Sequence, residues 1–389
     1  MADCVPVSDA TAELTRYTTK AGKRRAGKLI ADGGLADLVT SLTAALADVR
    51  KATDVPVVID AFGRQLWRHA VMFAQNDRSD RSLPGNDDRP LYWARLAMHA
   101  ALRDWRPRFR VDTDRLTDWS RRLEWASRGI IDTSQPEEDD SVKILISGFD
   151  PFRLDRDPAA SNPSGAAVLA LTGRTLDTGT GPARITGVIL PVRYADFDAG
   201  LVEKIYRPHL VPGSQRVDFA VSISQGRPGR FDLEVRNGRR RSSSTTRDNN
   251  GVLAAESEHD LQEPGGLAPG PEFTESTLPI EAMRRADGRP FPVHRHEQTG
   301  RLLPQTGQVV TDTNAPEPDA IAVAGSGGGF LSNEVAYRIT RLRDELGADT
   351  RCGHIHTPSL TDTDDPASQR SRIVEQVRLM LTQAATAPR

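Results

Sequence analysis

The chain has 389 residues, with 51 Lys and Arg against 53 Asp and Glu and a formal net charge of −2. That length admits a full core and more than one domain, and the charge balance lacks the basic field that would make nucleic acid the main partner. Two cysteines, Cys4 and Cys352, rule out a disulfide framework; with no apolar run of about 18 residues and no signal peptide in Met1-Ala2-Asp3-Cys4, a soluble cytoplasmic protein without membrane association is expected.

Residues 1–132 predict a helical N-terminal domain. Leu29-Ile30, Leu35, Leu38-Val39, Leu42 and Leu46 recur at helical spacing, and Leu91 to Trp105 repeats the pattern through Leu96, Met98 and Leu102. Trp67, Trp93, Trp105, Trp119 and Trp125 all fall here, which predicts an aromatic core of its own, packing rather than chemistry. Residues 133–140 (TSQPEEDD) read as an acidic linker.

From 141 to 389 the texture is α/β. Apolar strands are predicted at Val142–Ser147, Ile185–Val192, Val217–Ile223 and Ala320–Ala324, alternating with helices at Ala166–Leu171, Leu201–Ile205 and Val335–Leu342. Near-continuously apolar strands between helices imply a largely parallel sheet covered on both faces. A polar insertion, rich in Pro and Gly, is expected around 236–308, with Arg239-Arg240-Arg241 in a solvated loop. The C-terminal region predicts an acidic turn after Thr361 and a helix from Ser368 to Leu381.

Acyl transfer needs a nucleophile, a histidine to take its proton and a carboxylate to orient that histidine. Ser332 follows Gly327-Gly328-Gly329-Phe330-Leu331 and precedes a helix, whose positive end suits an oxyanion. Cys352-Gly353-His354-Ile355-His356-Thr357-Pro358 offers two histidines in a short strand, and Phe231-Asp232-Leu233-Glu234 sets a carboxylate among apolar neighbours. The alternation of Cys352, His354 and His356 also admits a zinc reading, with His294 and His296 in a loop. The motif below already accounts for His356, so no metal and no cofactor are expected.

Several ordered motifs resemble one family, pyroglutamyl peptidase I (pyrrolidone-carboxylate peptidase). They are Gly148-Phe149-Asp150-Pro151-Phe152, Asn162-Pro163-Ser164 with Ala167-Val168, Leu190-Pro191-Val192, Ser224-Gln225-Gly226, Asp248-Asn249-Asn250-Gly251, Thr277-Leu278-Pro279, Gly328–Asn333 with Tyr337, and Ile355-His356-Thr357-Pro358. Together they cover about residues 141–360. The resemblance implies an open α/β/α sandwich with a largely parallel twisted sheet, here preceded by the helical domain. It also implies removal of N-terminal pyroglutamate from peptides. Carried over by position, His356 is the base, Glu234 its partner (one residue short of the family's spacing from Gln225), and Ser332 stands where the family has its nucleophilic cysteine. Phe149 and Phe152 would floor the lactam slot with Phe330 opposite, and Gln225 would contact the lactam.

A serine hydroxyl is far less acidic than a thiol and must lose its proton in concert with attack. Two readings follow: an omega-peptidase working through Ser332, or an inactive relative whose pocket binds a small ligand or a peptide end. The resembling family's members assemble as oligomers, which admits a homo-oligomer here unless the added N-terminal domain blocks that surface.

Overall fold

The structure, a computed structural model, describes residues 11–76, 83–135, 140–257, 260–287, 289–360 and 364–388. Cys4, residues 136–139 of the acidic linker and residues 361–363 of the acidic turn lie outside the described residues.

Among the described residues six α-helices build the N-terminal region: α1 (Thr11–Thr18), α2 (Lys20–Asp32), α3 (Ala36–Asp48), α4 (Val55–Gln75), α5 (Arg89–Asp104) and α6 (Thr113–Ser127). Their starts are encoded locally. Thr19 and Asp112 accept backbone N–H groups as N-caps, and α4 and α5 carry proline in the first turn. Helix α5 is buried along nearly its whole length, as expected of a helix apolar on most sides. The predicted separate aromatic core is corrected: Trp67, Trp93 and Trp119 lie in one apolar cluster with Ile144, Ile146 and Val168, and Trp125 packs on a second cluster. The helices have too much apolar surface to close on themselves, so they share a core with the sheet layer.

The remaining helices are α7 (Pro163–Leu171), α8 (Tyr194–Asp198), α9 (Leu201–Leu210), α10 (Ile280–Met283), α11 (Leu331–Leu346) and α12 (Pro366–Ala385). The strands are β1 (Val142–Phe149), β2 (Thr175–Asp177), β3 (Pro182–Leu190), β4 (Phe219–Gln225), β5 (Phe231–Glu234), β6 (Arg236–Gly238), β7 (Phe273–Glu275), β8 (Val293–His296), β9 (Thr299–Leu303), β10 (Gln308–Asp312), β11 (Ile321–Ala324) and β12 (Arg351–Thr357). The central sheet runs β2-β3-β1-β4-β12-β5-β8 and is mostly parallel, with antiparallel pairing at β2–β3 and β12–β5. Helices α7 and α12 share the cluster on one face, and α9 and α11 that on the other, giving the α/β sandwich behind a helical N-terminal region. Among the described residues no single helix is long and apolar enough to cross a membrane.

Three expectations are corrected. The strand before Ser332, β11, is not part of the parallel sheet; it pairs antiparallel with β9 in a three-stranded sheet ordered β10-β9-β11. Residues 236–308 are not merely polar loops, since they carry β6, β7, β8 and β9. Nor is the arginine run solvated. Arg239 and Arg241 are buried, Arg241 pairs with Glu334 and Asp198, and Arg240 pairs with Glu272. Carboxylates from α8, α11 and the strand region draw these guanidiniums inward.

The helical layer is tied to the sheet by buried charge. The Asp150 carboxylate, just past β1, accepts Arg95 of α5 on one oxygen and Arg128 on the other at 2.6 Å. Glu124 of α6 meets Arg128 and, at 3.2 Å, Arg193, which also reaches Glu13 at 2.8 Å and Asp196 at 2.7 Å. Burial pushes the Glu124 carboxyl up, but Arg128 and Arg193 outweigh it and hold it well below its ordinary value. Removing one member strands the others as unpaired buried charge. Asp150→Ala is therefore expected to cost about 3–5 kcal/mol of stability, read as a drop in the urea midpoint; a loss below about 1 kcal/mol, the range of an exposed pair, would show that the network is not holding the layers together.

Candidate active site

The sheet register builds the acid–base pair. Strand β5 runs antiparallel to β12, setting Glu234 opposite His354 and diagonal to His356, and parallel to β8, setting Glu234 beside His296. Glu234 is 2% exposed. One of its oxygens accepts His356 Nδ1 at 2.7 Å and the other accepts His296 Nδ1 at 2.9 Å. Burial pushes the carboxyl up, yet hydrogen bonds from His296 and then His356 outweigh it, so Glu234 stays ionised. With Nδ1–H committed to Glu234, the basic nitrogen of His356 is Nε2.

His296 is a partner that sequence reasoning set aside as a loop residue; it lies on the edge strand β8. Its Nε2 lies 3.1 Å from Arg227 Nη1. His354 is held by serines. Its two ring nitrogens are taken by Ser222 and Ser224, both at 2.7 Å. Burial, then the neighbouring His356, lowers its pKa well below the ordinary value, so it sits neutral against the His356 ring. Cys352 is buried in the apolar cluster, and burial pushes its thiol up to about 12. Among the described residues no group of three His, Cys, Asp or Glu side chains is placed to hold a metal ion.

Ser332 stands in the first turn of α11, where the N–H groups of Leu331 and Ser332 have no acceptor among the described residues. Its hydroxyl donates to Gly327 O at 3.3 Å, and no hydrogen bond joins it to His356 among the described residues. Gly327 lies between the two: a Cβ there would meet His356 Cε1 at 3.4 Å. On the other side a Cβ on Gly226 would meet His356 Cβ at 2.7 Å, so glycine is needed for the close approach.

The residues holding this turn carried no signal of chemistry in the sequence. Asn333 clamps Gly238, accepting its N–H at 2.9 Å and donating to its carbonyl at 2.7 Å. Ser242 and Ser243 donate their backbone N–H groups to Gly329 O. Arg241 grips Glu334 in the first turn of α11. The arginine–serine run therefore braces the turn that presents Ser332.

Phe149, Phe152, Gln225, Phe330 and Ser332 line one slot, together with Asn162, Val192, Ser224 and Leu331. Phe152 stacks on Phe330 at 6.3 Å, and Tyr194 meets Phe330 edge-on at 5.6 Å. Phe149 stacks instead on Phe197 in the core. The cavity left between them is about 30 Å³, room for about one or two waters. The Phe149–Phe152 loop is fixed on all sides. Phe149 N–H donates to Ser164 Oγ, Asn162 Nδ2 to Asp150 O, and Asn249 Nδ2 to Pro151 O. The Asn-Pro-Ser and Asp-Asn-Asn-Gly motifs thus shape the slot from behind.

The site thus sits in an α/β sandwich, with one buried carboxylate hydrogen-bonded to two imidazoles. Residues 2–124 match the family described as PA0049 N-terminal domain, and residues 143–266 and 291–361 match PA0049, C-terminal domain. Uncharacterized protein PA0049 of Pseudomonas aeruginosa is 33% identical over 420 aligned positions, covering 82% of this chain and 76% of that protein. The chain belongs to the PA0049 family. Among solved structures, pyrrolidone carboxyl peptidase of Pyrococcus furiosus is 20% identical, with a TM-score of 0.43 over 62% of this chain and 98% of that one. Pyroglutamyl peptidase I of Bacillus amyloliquefaciens is 20% identical, with a TM-score of 0.43 over 64% and 98%. The fold assignment rests on the strand order and layers described above.

The shared carboxylate has a pH signature. The hydrogen bond to Glu234 raises the pKa of His296 above its ordinary value, against the opposing effect of burial. The raised histidine stabilises the fold fully below its unfolded value near 6.5 and loses that contribution as pH rises through its folded value. The depressed Glu234 contributes above its unfolded value near 4.5 and loses it as pH falls toward its folded value. Imidazole proton NMR should show His296 titrating above 6.5 in the wild type and at or below 6.5 in Glu234→Gln; an unmoved titration would contradict the assigned contact.

Proposed function

We propose that this protein is a pyroglutamyl-peptidase-like hydrolase that removes N-terminal pyroglutamate from peptides by acyl transfer to Ser332. The observation that carries the reading is the buried Glu234–His356 pair, which leaves Nε2 as the basic nitrogen of a ring packed against Gly327, the residue whose carbonyl holds the Ser332 hydroxyl at the start of α11. In this mechanism Ser332 Oγ turns from Gly327 O, gives its proton to His356 Nε2 and attacks the pyroglutamyl carbonyl carbon. The oxyanion is stabilised by the N–H groups of Leu331 and Ser332 at the start of α11. His356 then passes the proton to the leaving amine as the C–N bond breaks. Water, deprotonated by the same imidazole, releases the acyl group from Ser332. Glu234 remains charged throughout and offsets the imidazolium. The lactam ring would enter between Phe152 and Phe330, with Gln225 as its polar contact, so those rings must part before the substrate fits.

A second reading is favoured by one observation. The Ser332 hydroxyl is committed to Gly327 O rather than to His356, an arrangement that suits a pocket that binds a peptide end without cleaving it. Turning the hydroxyl costs about one hydrogen bond, roughly 0.5–1.5 kcal/mol, which is small beside a catalytic barrier.

Cleavage of a pyroglutamyl-coumarin substrate separates the readings. The serine-enzyme reading expects wild-type turnover, a fall of about 10³-fold or more in Ser332→Ala, and retained or increased turnover in Ser332→Cys. Activity only in Ser332→Cys would assign the wild type to the binding reading. Silence in all three folded proteins would overturn the peptidase reading.

A further inference from the structure

The slot does not end at its aromatic rings. Phe152 and Gln225 are also the wall of a larger cavity of about 550 Å³, within the range of about 300–1,000 Å³ typical of ligand sites. Among the described residues, four arginines line this cavity, Arg89, Arg153, Arg156 and Arg370, against one lining carboxylate, Asp157. Arg153 and Arg156 also face a second cavity of about 180 Å³, lined by Arg16 and Arg247 and by the carboxylates Asp155 and Asp248. The two exposed arginines therefore stand on a ridge between the two hollows, of which the larger begins at the wall of the slot.

The pairing of these arginines is uneven. Arg89 is tied to Asp87 at 2.9 Å and Arg16 to Asp155 at 2.9 Å. Arg370 is 2% exposed; it touches Ser161 at 3.2 Å and Asp87 at 3.4 Å, but its Nε has no hydrogen-bond partner among the described residues. A buried guanidinium N–H left unmade is costly unless something else supplies the acceptor. Arg153 makes no ion pair among the described residues; its guanidinium lies over the Phe152 ring at 5.2 Å and reaches Thr246 at 3.4 Å. The Arg156 side chain makes neither an ion pair nor a hydrogen bond among the described residues. Arg153 is also held at φ +60, a left-handed conformation uncommon for a residue with a side chain. Such strain persists only where the surroundings over-determine it, and it gathers at ligand clamps.

We infer that this cavity is an anion subsite continuing the aromatic slot, and that the protein selects peptides carrying Asp or Glu side chains beside the residue held in the slot. The inference rests on the proposed peptide-binding role of the slot and names its substrate class. Arg153 and Arg156 supply the guanidiniums without carboxylate partners among the described residues, and Arg370 supplies a buried donor in the wall. Guanidinium forks match carboxylates in geometry.

The test uses full-length Ser332→Ala protein and fluorescence anisotropy. The labelled probes are pyroglutamyl-Glu-Glu-Glu, pyroglutamyl-Gln-Gln-Gln and acetyl-Ala-Glu-Glu-Glu. The acidic pyroglutamyl peptide should bind about tenfold more tightly than the glutamine peptide, as expected for two partly exposed ion pairs. Adding Arg153→Asn and Arg156→Gln should erase that preference; asparagine tolerates the left-handed backbone and both positions are exposed, so the fold is checked only by an unchanged Tm. Equal binding of the two pyroglutamyl peptides, or a preference that survives the double substitution, would overturn the subsite. Wild-type cleavage of both pyroglutamyl peptides at equal kcat/KM leaves the peptidase reading intact and removes the subsite. Arginine-dependent binding of acetyl-Ala-Glu-Glu-Glu, with no cleavage of any probe, keeps the subsite and removes the peptidase reading.

Discussion

Glu234 is the constraint on which the site depends. A carboxylate shut inside a sheet stays charged only if its oxygens are taken, and here both are taken by imidazoles from the two strands flanking β5. That single fact fixes the tautomer of His356, sets the edge strand β8 beside β5, and requires the chain at Gly226 to pass without a side chain. The neutral state of His354, satisfied by two serines, follows the same logic. An imidazolium at His354 would have no carboxylate of its own, since both oxygens of Glu234 are already taken.

The helical region acts on the site through Asp150. Arg95 from α5 and Arg128 from the end of the helical region converge on it, and the two phenylalanines of the slot lie close by in sequence, Phe149 directly before Asp150 and Phe152 two residues after it. The layer that holds no readable chemistry of its own therefore sets the position of the slot wall. The Asn162 side chain at the start of α7 and the Asn249 side chain from a loop complete the clamp. The slot is thus built from three directions, and its narrowness reflects that bracing.

Much of this was legible in the residues. Continuous apolar runs such as Val142–Ser147 announced strands buried on both faces, and Gly-rich turns announced where side chains would be presented. What failed to show was long-range pairing. The Ala320–Ala324 run is apolar enough to be a central strand, yet it sits in a separate antiparallel sheet, because hydrophobicity reports burial and not partner. Arg239-Arg240-Arg241 reads as solvated until Glu334, Asp198 and Glu272 arrive from elsewhere in the chain. His296 was set apart from His356 by sixty residues of sequence, and only the parallel register of β5 with β8 brings both to one carboxylate.

The central claim is that Glu234, His356 and Ser332 act as one nucleophilic unit. Covalent labelling reads it most directly. Wild-type protein treated with a fluorophosphonate and analysed by intact and peptide mass spectrometry should carry a single adduct on Ser332, with labelling reduced in His356→Ala and in Glu234→Gln. No adduct on the folded wild-type protein, or labelling of Ser332 indifferent to both substitutions, would contradict the account.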